Sequence, residues 1–353
     1  MRVLFIGGTK RGYLALQALA DAGAHIVGVI SLRQDDHETE RYEEPMRALA
    51  ERLQAPLCET RRMNERDYAA LIRDEWRPDV AFVVGCRILL PAEVYTAPPG
   101  GTFAVHDSCL PEYRGFAPLN WSVLTGADHT GVTLFQVTEE TDAGDILAQE
   151  RIPIGPDETA PEVYERVCAA TADLLRTTYP QLAAGTLPRR AQDASAATYT
   201  CRRTPADGLI DWHADTTRIY NQVRALTRPY PGAFSYCDGR RLTIWQATPV
   251  QPPPRYVGRI PGRVVGIDKP GGTVDVLTGD GVLRLGEIQF EGDNAVPAAT
   301  AIRSVRATLG VGVDDLLRRI AKLEERVARL AHERTPRRAN GAAQPSGAAG
   351  GQA

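Results

Sequence analysis

Two residues stand where an acid–base pair would be useful. His106 ends the apolar run that opens FAVHDSCLPEYRG (103–115), and Asp142 lies in a glycine-containing loop after TGVTLFQV (130–137). An imidazole at the end of a strand in a parallel sheet faces the crevice where such sheets bind ligands. If the two strand ends are neighbours, the carboxylate of Asp142 would fix the tautomer of His106 and raise its basicity. A pair of that kind suits proton removal from an attacking amine. The alternative is a polar residue where a strand meets a loop, and spacing along the chain does not separate the two.

Other groups carry less chemistry. IGGTKRGYLALQ (6–17) invites a phosphate-loop or dinucleotide reading, but it holds neither GxGxxG nor GxxxxGK(S/T). It reads as an ordinary strand-to-helix turn, and NAD or ATP binding is disfavoured. The six cysteines form no CxxC pair and the six histidines are equally dispersed, so no metal site is expected and the thiols should be reduced. Cys109 would need a depressed pKa and access to act as a nucleophile. Small apolar filler is the plainer reading.

A scaffold must position these groups. VLFIGG, HIVGVIS, VAFVVG, GTFAVH and TGVTLFQV are apolar runs of strand length. Between them, YLALQALADAG and NERDYAALIRDEW repeat apolar residues at helical spacing, with Asn64 standing as cap of the second. This alternation predicts a doubly wound parallel sheet. APEVYERVCAATADLLRTTY adds a helix with Pro161 near its first turn. RAQDASAATYTCRRTP (190–205) is polar and aperiodic, a connector. After it, TTRIYNQVRAL reads as a helix, and AFSYC, RLTIWQA, RVVGI, TVDVL and VLRLGEIQF read as short strands suited to a small β-barrel.

The expected organisation is a first domain over 1–190, a linker over 191–205, a second domain over 206–305 and a helix over 311–333. In that helix Val313, Leu316, Ile320, Leu323, Val327 and Leu330 follow a heptad pattern with charges between. The pattern fits a coiled coil joining two copies into a homodimer, and equally an amphipathic helix folded back on the barrel. The low-complexity tail, 334–353, is expected to be disordered.

With 353 residues and 43% hydrophobic content, the chain has material for two real cores. No apolar run is long enough to span a membrane. MRVLFIGG reads as a first buried strand and not as a signal peptide, so a cytoplasmic protein without a membrane partner is expected. A net charge of −3 argues against nucleic acid as the main partner.

A resemblance sharpens the reading. HDSCLPEYRGFAPLNWSVLTGADHTGVTLFQVTEETDAGDILAQ (106–149) resembles the signature of the folate-dependent formyltransferases. That family carries a His-x-Ser-Leu-Leu-Pro-x-Tyr-Arg-Gly run and, further along, a Gly-Val-Thr strand leading to Asp-x-Gly. The matching residues are His106, Ser108, Leu110, Pro111, Tyr113, Arg114 and Gly115, then Gly131–Thr133, Asp142 and Gly144. RRTPADGLIDW (202–212) and RALTRPYPGAFSY (224–236) resemble the family's C-terminal domain.

The resemblance implies an α/β fold, a Rossmann-like doubly wound sheet followed by a C-terminal OB-like β-barrel. It implies transfer of a formyl group from 10-formyltetrahydrofolate, the co-substrate, to an amine, with His106 managing the proton and Asp142 orienting it. The folate would lie against GCRILLP (85–91), at Cys86, Ile88, Leu89 and Leu90, and against Glu139, Glu140 and Thr141 in the loop before Asp142.

One position departs from the family. Two residues before the histidine it usually has asparagine, whose amide binds the oxyanion of the tetrahedral intermediate; this chain has Ala104. Loss of one such donor costs about 10²–10³ in turnover. A backbone N–H or His106 compensates, another one-carbon or acyl group is moved, or the chain is a non-catalytic folate-binding relative. YRGFAPLNW (113–121) is most similar to formyltransferases acting on amino sugars carried by nucleotides, so the expected partner is a small nucleotide-linked amino sugar. Its contacts would include Ser108, Tyr113, Arg114, Asn120 and Trp121, although Asn120 and Trp121 serve helix packing equally well and Arg114 a structural turn. Methionyl-tRNA is the alternative acceptor. Against it stands the acidic loop RQDDHETERYEE (33–44), which would repel phosphates.

Overall fold

The computed structural model describes residues 1–34 and 40–334. Its first half runs β1 (Arg2–Gly7), α1 (Thr9–Asp21), β2 (His25–Leu32), α2 (Glu43–Arg52), β3 (Leu57–Thr60), α3 (Tyr68–Ala70), β4 (Val80–Val84), α4 (Ala92–Tyr95), β5 (Thr102–His106), β6 (Arg114–Gly115), α5 (Pro118–Thr125), β7 (His129–Gln136), β8 (Ile146–Pro153) and α6 (Ala160–Ala183). After it come β9 (Tyr199–Thr200), α7 (Thr216–Leu226), β10 (Ala233–Cys237), β11 (Arg240–Ile244), β12 (Ala247–Pro249), β13 (Val264–Asp268), β14 (Thr273–Leu277), β15 (Val282–Leu285), β16 (Glu287–Phe290), β17 (Val296–Pro297), α8 (Ala298–Ala301) and α9 (Val313–Arg334).

The main sheet has seven strands in the order β3-β2-β1-β4-β5-β7-β8. Its centre reads as unbroken apolar sequence because both faces are covered. Val3 and Phe5 belong to the apolar cluster that includes α1 and α6, while Leu4 and Ile6 belong to a second cluster with Leu71, Ile72 and Trp76. All four side chains are fully buried. Helices on both faces make the sheet doubly wound.

Several sequence expectations need adjustment. From β3 to β5 the sheet is parallel, but β5–β7 and β7–β8 are antiparallel. The chain leaves β5 at its C-terminal edge, and the eight residues of α5 pack beside α7, so β7 starts from the same edge and runs back. Asp67, and not Asn64, caps the helix over Tyr68–Ala70: its Oδ1 accepts from the Ala70 N–H at 2.9 Å. The helix then widens into a π-helical turn over Leu71–Trp76. Two further strands do not stand out in the sequence, because β3 is only four residues long and the apolar residues of β8 are interrupted by Gln149, Glu150 and Arg151.

α6 follows its sequence pattern, with Pro161 in the first turn and a Thr159–Glu162 capping box. The connector is more ordered than its composition suggests. Its Tyr199–Thr200 pairs in parallel with Arg114–Gly115, forming a two-stranded sheet. The later strands form two four-stranded sheets, β10-β11-β16-β17 and β12-β15-β14-β13. VLRLGEIQF, read as a single strand, breaks at Gly286 into β15 and β16, which belong to different sheets.

Val311 onward forms a separate compact unit containing α9. On that helix Leu316, Ile320, Leu323, Val327 and Leu330 are exposed. The tail from 335, and residues 35–39 of the acidic loop, lie outside the described residues. Among the described residues no helix is long and apolar enough to cross a membrane.

Candidate active site

Parallel alignment brings the C-terminal ends of β1, β4 and β5 to one edge of the sheet. The turn after β1, the segment Gly85–Pro91 after β4, and His106 at the tip of β5 therefore converge. The turn sits directly on the end of β4. A Cβ on Gly7 would lie 1.9 Å from the Val84 carbonyl oxygen.

His106 is buried, 8% exposed, with its ring edge-on to Phe135. Its Nε2 lies 2.8 Å from the Tyr113 carbonyl oxygen. A carbonyl only accepts, so Nε2 carries the hydrogen and donates, which leaves Nδ1 of the neutral ring with a free lone pair. Nδ1 stands 3.6 Å from Asp142 Oδ2, too far for a direct hydrogen bond and near enough for strong electrostatic coupling. Burial holds the His106 pKa below its ordinary value. The charge of Asp142 and the bond to Tyr113 oppose this, and the Arg11 cation adds to it. At neutral pH the ring is an uncharged base.

The carbonyl that orients His106 is itself held by the loop. Tyr113 adopts a left-handed conformation at φ 57°. Its N–H donates to Thr198 Oγ1 at 2.8 Å, and its hydroxyl meets Thr125 Oγ1 at 3.0 Å.

Asp142 reaches His106 by a route that the sequence reading did not foresee. Because β7 runs antiparallel, Phe103 pairs with Gln136 and His106 with Thr133. The end of β7 thus lies away from His106, and the loop 137–145 folds back to return Asp142 to it. Asp142 is left-handed at φ 53°, and its Oδ2 accepts the Gly115 N–H at 2.8 Å. The loop packs too closely for a side chain at Gly144, where a Cβ would lie 1.8 Å from the Gln136 carbonyl oxygen.

Arg11, Asp107 and Gln192 were missed as contributors. Arg11, in the first turn of α1 just after the glycine turn, forms a largely buried ion pair with Asp107, next in chain to His106. The turn is thus more than a connection, although it lacks a phosphate-loop spacing. The available signal was a pair of cations, Lys10 and Arg11, just after the glycines and one carboxylate beside the histidine. Gln192 comes from the connector, and its amide bonds both Arg114 and the Asp142 loop. Nothing in its local sequence marks it.

The other predicted residues divide. Ala104 lies two residues before His106 on β5, hence on the same face, and packs partly buried against Leu110, Phe135 and Ile146. Along Gly85–Pro91, Leu89 is 70% exposed, Ile88 and Leu90 are half-buried, and the Cys86 thiol donates to the Ile88 carbonyl at 3.2 Å. Glu139, Glu140 and Thr141 are exposed. Arg114 is only 3% exposed, with Gln192 and Glu140 as partners. Ser108 is buried and donates to the Glu112 carbonyl. Tyr113 and Trp121 line one cavity of about 520 Å³ with Tyr199 and Thr200. Asn120 does not join them among its bonded partners: its amide donates to the Ala225 carbonyl, tying α5 to α7. Burial pushes the Cys109 thiol up to about 11, which suits filler and not a nucleophile.

Comparison with known proteins agrees with this architecture. Residues 1–178 match the family described as formyl transferase, and residues 202–306 match the formyl transferase C-terminal domain. Among solved structures, HypX from Aquifex aeolicus, in complex with tetrahydrofolic acid, is 20% identical with a TM-score of 0.56. That match covers 86% of this chain and 47% of HypX, so the chain spans about half the length of that relative. A sugar N-formyltransferase from a Shewanella species is 20% identical, covering 70% of this chain and 97% of that one, with a TM-score of 0.57. The N-formyltransferase from Helicobacter canadensis, in complex with folinic acid and dTDP-3-aminofucose, is 18% identical, covering 81% and 98%, with a TM-score of 0.59. At these identities the likeness is one of fold.

Proposed function

The chain belongs to the formyl transferase family, and on that premise we propose that it moves a formyl group from 10-formyltetrahydrofolate to the amine of a nucleotide-linked amino sugar. The observation that carries the reading is the buried His106–Asp142 pair, whose Nδ1 lone pair is free to accept a proton. The folded likeness to sugar N-formyltransferases supports the acceptor class, and the complexes of relatives with tetrahydrofolic and folinic acid support the donor.

The folate co-substrate supplies the formyl carbon. Exposed Leu89 beside half-buried Ile88 and Leu90 offers an apolar surface for its ring system at the edge where His106 ends. Cys86, Glu139, Glu140 and Thr141 complete that binding surface in this reading. Ser108, Tyr113, Arg114, Asn120 and Trp121 surround the acceptor or hold the loops that do. The acceptor nitrogen forms the new bond to the formyl carbon as the carbon's bond to the folate nitrogen breaks. Nδ1 of His106 takes the proton from the acceptor and returns it to the departing nitrogen. Asp142 stabilises the imidazolium between those two events, while the Tyr113 carbonyl keeps Nε2 protonated throughout. Ala104 offers no donor to the formyl oxygen, so that charge falls to backbone N–H groups or to His106.

In the same reading residues 1–190 carry the transfer, 191–205 link, and 206–305 close as an OB-like barrel. The 311–333 helix joins two copies. The test is release of tetrahydrofolate from 10-formyltetrahydrofolate with a panel of nucleotide-linked amino sugars and with methionyl-tRNA. Turnover with one sugar, falling by about 10²–10⁴ in His106→Ala, is expected. Turnover with methionyl-tRNA alone would replace the acceptor. Folate binding without any turnover would overturn formyl transfer.

A further inference from the structure

We propose that Gln192, in the connector between the two halves of the chain, is a positioning residue that holds Asp142 beside His106. The proposal rests on reading His106 and Asp142 as the acid–base pair, and it adds a residue outside both family motifs quoted above.

The amide of Gln192 is fully used. Its Oε1 accepts from Arg114 Nη2 at 2.9 Å and Nε at 3.2 Å, and its Nε2 donates to the carbonyl of Asp142 at 2.8 Å and of Gly144 at 2.7 Å. Exchanging the two amide atoms would set NH₂ against a guanidinium and an oxygen against two carbonyls, so the network admits one orientation. Arg114 is buried, and its guanidinium also meets the exposed carboxylate of Glu140 at 3.3 Å. Asp142 is left-handed, a conformation that an L residue keeps only where the surroundings hold it. Two bonds hold it there: Gly115 N–H on the side chain and Gln192 on the carbonyl.

Gln192 can serve as a fixed point because the connector is anchored on both sides of it. Before it, Arg190 exchanges two backbone hydrogen bonds with Ile146, at 2.8 and 2.9 Å. After it, Thr198 donates its N–H to the Pro111 carbonyl and accepts the Tyr113 N–H, and Tyr199–Thr200 pairs with Arg114–Gly115. One segment thereby ties together the loop that orients Nε2 of His106 and the loop that faces Nδ1.

The test reads His106 directly. In the full chain carrying ¹³C-labelled histidine, the His106 resonance is assigned with His106→Asn and titrated. In Gln192→Ala the midpoint moves to lower pH, because the charge that raises the ring's pKa is no longer held beside it. Asp142→Asn also lowers the midpoint, and adding Gln192→Ala to it produces no further shift. Formyl transfer in Gln192→Ala falls by about ten- to a hundredfold in kcat, with the KM for the formyl donor little changed. Gln192→Met keeps the side-chain length without the amide and gives the same result where the alanine variant does not fold. Asp193→Ala, which removes the turn contact to Ser195, leaves the midpoint unchanged. An unchanged midpoint in both Gln192 variants, or an equal shift in the Asp142→Asn background, would overturn the proposal. The titration reports on the pair even where no acceptor is turned over, so loss of the formyl-transfer reading and loss of this one are separate results.

Discussion

At the scale of single residues, the protonation state of His106 follows from competing effects of known sign. The group starts from an ordinary value of 6.5, which burial and the Arg11 cation lower and which Asp142 and the Tyr113 carbonyl raise, with a net lowering. A general base works only when neutral, so kcat/KM should rise with pH through the folded-state pKa and its acid limb should fall below pH 6.5. Asp142→Asn removes a raising charge and should carry that limb further toward acid while kcat drops. The pH dependence of kcat/KM in both proteins checks this. An acid limb above the ordinary histidine value would mean that the carboxylate outweighs burial. His106 and Asp142 were legible because the motif that surrounds them is long. Arg11 and Gln192 were not, because an arginine at the start of a helix and a glutamine in a polar connector acquire meaning only from what they touch.

At the scale of elements, the loop 137–145 matters more than the strand that leads to it. Antiparallel β7 points away from His106, and a close-packed return of the chain brings Asp142 back. Gly144→Ala should therefore disturb the site as well as the fold. Its Cβ would collide with the Gln136 carbonyl oxygen, forcing the loop outward. A loss of about 1–3 kcal/mol of stability is expected, together with a fall in turnover larger than the folded fraction explains. Denaturant titration alongside kcat measures both, and wild-type values of both would show that the loop gives way without moving Asp142. Periodicity found most strands and helices but not the direction of β7, since a strand's apolar pattern is the same read either way. It also ran β15 and β16 together, because a single glycine at a corner leaves the pattern unbroken.

At the scale of the whole molecule, unit Met1–Gly310 contains both family matches, and the segment from Val311 stands as a unit of its own. Its exposed Leu316, Ile320, Leu323, Val327 and Leu330 form a stripe at coiled-coil spacing. Burying that stripe against a second copy would remove it from water. Deletion of 311–353 should halve the mass seen by light scattering and leave turnover per chain intact. An unchanged mass would rule out α9 as the joining element, and lost turnover would give the helix a part in the site.

The sequence by itself determined the family and most of the strand-and-helix order, and it singled out the histidine and carboxylate proposed as the acid–base pair. Those depend on residue type and on local spacing, which the chain carries openly. Only the tertiary structure decided that Nδ1 is the free nitrogen of His106, that Asp142 arrives from an antiparallel strand, and that Arg11, Asp107 and Gln192 stand close behind the pair. Each of those depends on contacts between segments far apart in the chain, where burial, charge and the direction of a hydrogen bond are properties of the assembled neighbourhood and of no single segment.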